Sequence, residues 1–153
     1  MSDSTSRRPS GEAGFTLVEL LVVILIIGVL AAIAIPTFLN QSGKATDATA
    51  KEMARTGALA AETYATDHSG SYEGLTEPKT LREYEAAIQT AAGSGNAYLS
   101  VAEAQESGKG FVVTAVAPTT ADTFTITRTS SGEVKRTCVS KAINKTGCET
   151  GDW

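Results

Sequence analysis

Between Leu20 and Ile35 the chain carries no charged or strongly polar side chain, and one carboxylate, Glu19, stands just inside the N-terminal end of the apolar run that begins at Phe15. A helix needs roughly 20 such residues to cross a ~30 Å hydrocarbon core, so Phe15 to Ile35 is long enough to span a membrane. Residues 1–14 are polar, rich in Ser and Gly, and hold Arg7 and Arg8. That composition marks a targeting leader. Basic residues before the run and none within it predict that the leader stays cytoplasmic while the C-terminal body is translocated.

Three export routes fit a segment of this kind. A conventional secretory signal cut at Ala32-Ile33-Ala34 would release a soluble binding domain starting near Ile35, and an uncut signal anchor would leave the body tethered. Arg7-Arg8 raises twin-arginine export, but no hydrophobic residues follow the pair at once. Glu19 argues against the first two. A carboxylate at a membrane helix centre costs roughly 2.5 to 3.5 kcal/mol on insertion scales, less near an end, and intramembrane ionisable groups usually have a partner.

The run Gly14-Phe15-Thr16-Leu17-Val18-Glu19-Leu20-Leu21-Val22-Val23-Ile24, followed by Gly28 and Ala31-Ala32-Ile33-Ala34-Ile35-Pro36, resembles the N-terminal motif of type IV pilins and type II secretion pseudopilins. The likeness covers about the first quarter of the chain. It sets a Gly, an aromatic, a Glu and a Pro at defined spacings in an otherwise monotonous stretch. The resemblance implies a leader, residues 1–14, removed after Gly14 by a prepilin peptidase that then methylates the amino group of Phe15. It implies that Glu19 neutralises that amino group in the assembled state. Two opposite charges in a low-dielectric setting attract strongly, and one left alone is heavily penalised. Pairing would therefore set the axial register of each subunit. Gly28 and Pro36, each unfavourable within a helix, resemble the boundaries of a segment that extends when pilins pack.

The same resemblance divides the chain into the leader, a transmembrane and polymerisation helix over 15–36, and a globular head over 37–153. Its implied partners are the peptidase and methyltransferase, an inner-membrane assembly platform, the membrane before assembly, and further copies of the chain in a helical filament outside the cell. The expected fold class is α+β: a long N-terminal helix spine, its hydrophobic half protruding, packed against a roughly four-stranded antiparallel sheet.

Beyond Pro36 the pattern stays helical but becomes amphipathic, with Ala54, Ala58, Ala61 and Ala65 on one face and Lys51, Glu52, Arg55 and Glu62 on others. The helix should run to about Asp67, a rod of roughly 80 Å from Phe15. Residues 67–71 read as a turn. Thr80 with Glu83 predicts a capping box for a short helix carrying Leu81, Tyr84 and Ile88, ended by the Gly93-Ser94-Gly95-Asn96 stretch. Four runs have strand character, Ala97 to Ala102, Gly110 to Ala117, Thr123 to Thr129 and Glu133 to Val139, with turn residues between them. An antiparallel meander is the simplest topology.

Composition narrows the function further. The 153 residues suit one compact body, and 13 Lys plus Arg against 17 Asp plus Glu give a net charge of −4. This mild acidity argues against a grip on nucleic acid phosphates. Cys138 and Cys148 are read as a disulfide if the body lies outside the cytoplasm, against the alternative of two free thiols. Closing so short a loop contributes about 2.7 kcal/mol in the chain-entropy picture. The lone His68, in a polar turn, reads as solvated, and Asp67, Asp122, Glu149 and Asp152 are too scattered for a calcium site. Lys135, Arg136, Lys141 and Lys145 form a loosely basic stretch that reads as an exposed sheet edge in preference to the alternative of a DNA-contact patch, nucleic acid being a partner only through the filament. No nucleophile stands with a base, so no catalytic residue, metal site or cofactor is expected and the chain is not read as an enzyme. Two filament roles stay open: a major pilin of a surface fibre for adhesion, motility or DNA uptake, and a pseudopilin of a secretion or competence machine. Many pilins have a C-terminal disulfide loop, whereas major secretion pseudopilins usually have a calcium-binding loop there, so the cysteines lean toward the pilin.

Overall fold

A computed structural model describes residues 14–93, 95–141, 147–148 and 151–153. Its elements are helix α1 (Leu17–Asp67), the short helix α2 (Pro78–Arg82) and strands β1 (Tyr98–Gln105), β2 (Gly110–Val116), β3 (Thr123–Arg128) and β4 (Val134–Val139), with a 3₁₀ turn at Glu106–Gly108. The chain divides into two compact units, Met1–Thr37 and Phe38–Trp153, and α1 contributes to both. The arrangement is the expected α+β one, a long apolar N-terminal helix packed on a four-stranded antiparallel sheet.

In the second unit, α1 turns a face of small residues to the sheet. Ala50, Ala54 and Ala61 are fully buried, and Gly57 lies so close to β1 that a Cβ there would meet Leu99 Cδ1 at 2.7 Å. Small side chains let the helix backbone approach the strands, and the larger volume comes from the sheet: Leu99, Phe111, Val113, Phe124 and Ile126. Strands β2 and β3 alternate buried and half-buried residues, as a sheet with one covered face must. The order is β1-β2-β3-β4, antiparallel throughout, with a register shift between Leu99 and Val101. The helix ends at Asp67, where Ser69 and Gly70 take positive φ and the Gly70 N–H donates to the Ala65 carbonyl at 2.7 Å.

The segment between α1 and β1 departs from the sequence expectation. Thr80 and Glu83 do not form a capping box: Glu77 is the N-cap, without a side-chain bond, and Glu83 is the C-cap. Pro78, pre-set for a helical φ and lacking the N–H that the first turn leaves unpaired, fixes the start three residues earlier, with the cap at Glu77 instead of Thr80. The helix ends at Arg82, well before the Gly93–Asn96 stretch; Tyr84 lies in a turn and Ile88 in irregular chain beyond it. Burial decides this path, for Leu75, Leu81 and Ile88 are all within 1% of full burial. Strand β1 also runs three residues beyond the expected Ala102, because Glu103, Ala104 and Gln105 pair with Val112, Phe111 and Gly110.

Polar links fasten the helix to the sheet. Arg128 donates to Glu62 Oε1 at 2.9 Å and the Tyr72 hydroxyl donates to Glu62 Oε2 at 2.8 Å, so one carboxylate joins α1, β3 and the segment after the helix. Near the other end, buried Asp47 accepts from the Thr120 hydroxyl, and Asp122, also buried, accepts from the Ser140 hydroxyl and the Lys141 N–H. Asp122, read from sequence as one of several scattered acids, is thus a buried anchor for the chain leaving β4. His68 is exposed, and its ring also stacks on Tyr64 at 3.9 Å.

Cys138 and Cys148 form a disulfide. Beside it the 151–153 segment returns along the outer edge of β4: Thr137 bridges Asp152, and the Cys138 N–H donates to the Gly151 carbonyl at 2.7 Å. Trp153 packs edge-on to Phe124 at 5.8 Å and lies under the Arg55 guanidinium at 5.2 Å. The segment therefore reaches back across the sheet edge to α1.

Two outcomes follow from this packing. A Cβ at Gly110 would collide with the Arg128 carbonyl of the neighbouring strand, so Gly110→Ala is expected to lower stability by about 1–3 kcal/mol in urea unfolding. Burial, and then the hydrogen bond and charge of Glu62, push the Tyr72 phenol up from 10.0 to about 12. A pKa raised by folding contributes stability that is whole below the unfolded value and lost as pH rises through the folded one. Unfolding measured between about pH 10 and 12 should show a steeper loss for the native chain than for Tyr72→Phe.

Candidate functional site

The first unit is built on a helix start whose caps are supplied by the chain itself. Gly14, Phe15 and Thr16 precede α1, and Thr16 is followed three residues later by Glu19, the spacing of a capping box. Both reciprocal bonds are made: the Glu19 N–H donates to Thr16 Oγ1 at 3.1 Å, and the Thr16 N–H donates to Glu19 Oε2 at 3.0 Å. The Thr16 hydroxyl donates to the same Oε2 at 2.8 Å. Glu19 Oε1 accepts no hydrogen bond among the described residues. One carboxylate oxygen thus holds the helix end, and the other is open to an ammonium.

Thr16 is thus a partner for Glu19 within the chain itself, beside the partner in a neighbouring copy that the family resemblance implies. The Thr-x-x-Glu spacing was the available signal. Negative charge in the first turn also lies favourably against the positive end of the helix dipole. Clipping the chain after Gly14 would leave Thr16 and Glu19 joined and place a new amino group one residue from the cap.

From Phe15 onward the surface is apolar on all sides of the helix. Phe15 is 85% exposed, Ile24 60%, Ile33 70% and Phe38 71%. Contiguous apolar surface on this scale marks an interaction with lipid or protein. Among the described residues α1 is the one helix that could cross a membrane by length and composition. Gly28 sits in a shallow depression with Leu21, Ile24, Leu25, Val29 and Ala32, and a Cβ added there would touch nothing. The helix is continuous through Gly28 and Pro36. Pro36 lacks an N–H for the ladder, and one residue on, the Thr37 hydroxyl donates to the Ile33 carbonyl at 3.2 Å.

The expected site residues therefore fall in separate places. Gly14, Phe15 and Glu19 gather at the start of α1, Gly28 and Pro36 lie within it, and Cys138 and Cys148 join in the second unit. Lys135, Arg136 and Lys141 are exposed on or just beyond edge strand β4, as read from sequence, and Lys145 and Glu149 lie outside the described residues. The leader, with Arg7 and Arg8, also lies outside them apart from Gly14.

Residues 9–35 match the family model of the prokaryotic N-terminal methylation motif. This is the signature of type IV pilin and pseudopilin precursors, and it joins a pilin-like α+β fold in this chain. The motif implies processing by a prepilin peptidase, and together with the apolar helix it fits membrane anchoring before assembly. No curated protein matches the chain.

Replacing Thr16 by Val keeps the volume and removes the cap. A lost N-cap costs about 1 kcal/mol of helix-end stability. Amide exchange at Glu19 and Leu20, measured by NMR in detergent micelles, should therefore accelerate by about fivefold.

Proposed function

We propose that the chain is the precursor of a structural subunit, clipped between Gly14 and Phe15, methylated on Phe15, and polymerised through residues 15–36 into a type IV pilus on the cell surface. The observation that carries this reading is an apolar helix segment exposed on every side, with a single carboxylate at its start whose Oε1 is open. Such a helix needs lipid before assembly and other copies of itself afterwards. A methylated amino group keeps its positive charge, and Glu19 of a neighbouring copy can neutralise it at the depth where both would otherwise stand unpaired.

The disulfide favours a pilus over a pseudopilus, since it fastens the region where secretion pseudopilins usually carry a calcium loop. The reading gives the protein no catalytic role.

Mass spectrometry of the mature N-terminus tests the processing step, with N-methyl-Phe15 expected; a mature chain starting near Ile35 would point instead to simple secretion. Glu19→Ala should be inserted and clipped as usual but enter filaments poorly. Shed surface fibres, weighed by sedimentation, are expected to fall at least about tenfold, since an uncompensated intramembrane charge is worth more than 1.4 kcal/mol. Wild-type fibre yield from that variant would refute the pairing.

A further inference from the structure

The two edges of the sheet differ in charge. Strand β4 forms one edge, where Lys135 and Arg136 are exposed; Lys135 pairs with Glu133 at 3.8 Å, and Arg136 has no ion pair among the described residues. Register places Arg136 beside Ile126, on the face that α1 covers elsewhere. The helix stops short of covering β4, leaving a groove of about 310 Å³ whose lining includes Arg55, Leu59, Glu62, Ile126, Val134 and Arg136. Leu59 and Val134 are 69% and 44% exposed, so the groove has an apolar floor; the Glu62 carboxylate is already engaged by Arg128 and Tyr72 and Arg55 by Glu52, which leaves Arg136 as the uncompensated charge at its rim.

Strand β1 forms the other edge, and the segment after α1 runs along it, held where the Leu99 N–H donates to the Gln89 carbonyl and the Ala104 N–H to the Leu75 carbonyl, both at 2.8 Å. That segment exposes Glu77, Glu83 and Glu85, and Glu103 adds to them from β1. Lys79 and Arg82 offset the acids only in part. Directly after Glu83 and Glu85, Ala86 and Ala87 are also exposed. Acidic side chains followed by two small apolar ones match, in order, the cationic rim and apolar floor of the opposite edge.

We propose that the groove under β4 receives the Glu83–Ala87 segment of a second copy of this chain, with Arg136 facing Glu83. The proposal rests on the filament reading and adds the contact between heads. Because the two patches differ and lie on opposite edges, the contact is heterologous: each copy offers one free groove and one free acidic segment. Such contacts repeat into rings or helical filaments rather than closing as a two-fold dimer. The groove is small beside a stand-alone interface of ~800 Å² per partner, so this contact orients heads that the N-terminal helices already hold together.

Charge reversal in the full chain tests it, with fibre yield from producing cells as the first readout. Arg136→Glu and Glu83→Arg, both at exposed positions, should each lower yield by about tenfold, and the double variant should recover most of it, as charge complementarity requires. The second readout is cross-linking by a short bismaleimide between copies carrying Leu59→Cys and Ala86→Cys, the native cysteines being paired. Wild-type yield from Arg136→Glu, no recovery in the double variant, or fibres without the 59–86 cross-link would overturn the proposal. If the native chain makes no fibre but membrane-held copies still cross-link, the filament reading falls and the contact stands. If neither fibre nor cross-link forms, both fall.

Discussion

A helix that is greasy on every face and carries one carboxylate at its start is the constraint from which the remaining features follow. Water cannot host its surface, and hydrocarbon cannot host an isolated charge. Within the subunit, Thr16 meets part of that demand by engaging Glu19 Oε2 through its N–H and its hydroxyl. The local bonds satisfy the helix end without neutralising the charge. A cation from elsewhere is still needed, and a newly exposed amino terminus at Phe15 is the nearest source that processing would create.

The same helix changes character along its length. Up to Leu39 large aliphatic and aromatic side chains point outward in all directions, whereas from Gly43 to Ala65 the buried face is made of Gly, Ala and Asp apart from Tyr64. Bulky side chains suit a surface that lipid or another helix will fill. Small ones suit a surface already filled by Phe111, Phe124 and Leu99 from the sheet. A few polar links, Glu62 with Arg128 and Tyr72 and Asp47 with Thr120, then set the rotation of the helix on the strands. At the far edge the disulfide, the bridge to Asp152 and Trp153 hold the chain against β4 and α1.

How far the residues speak for themselves depends on the range of the interaction. Periodicity is local, so the long helix, its end at Asp67 and four strands close to their observed bounds were legible directly. The helix start was legible too, through the Thr16-x-x-Glu19 spacing, yet an intramembrane carboxylate draws attention to distant partners and hides the one three residues away. Thr80 and Glu83 show the opposite error. Their spacing imitates a cap, but Pro78 and the burial of Leu81 and Ile88 against the body determine where the chain turns.

By itself, then, the order of residues determined the long apolar segment, the methylation motif that opens it, the helix-then-sheet plan and the proximity of two cysteines, because each depends on composition or spacing along a short stretch. Only the tertiary structure decided that Asp47 and Asp122 are buried anchors, that Glu62 joins three elements, and that Arg136 and the Glu83–Glu85 acids lie on opposite edges of one sheet. Those facts depend on which residues distant in sequence come into contact, and strand order with side-chain packing settles that rather than any local pattern.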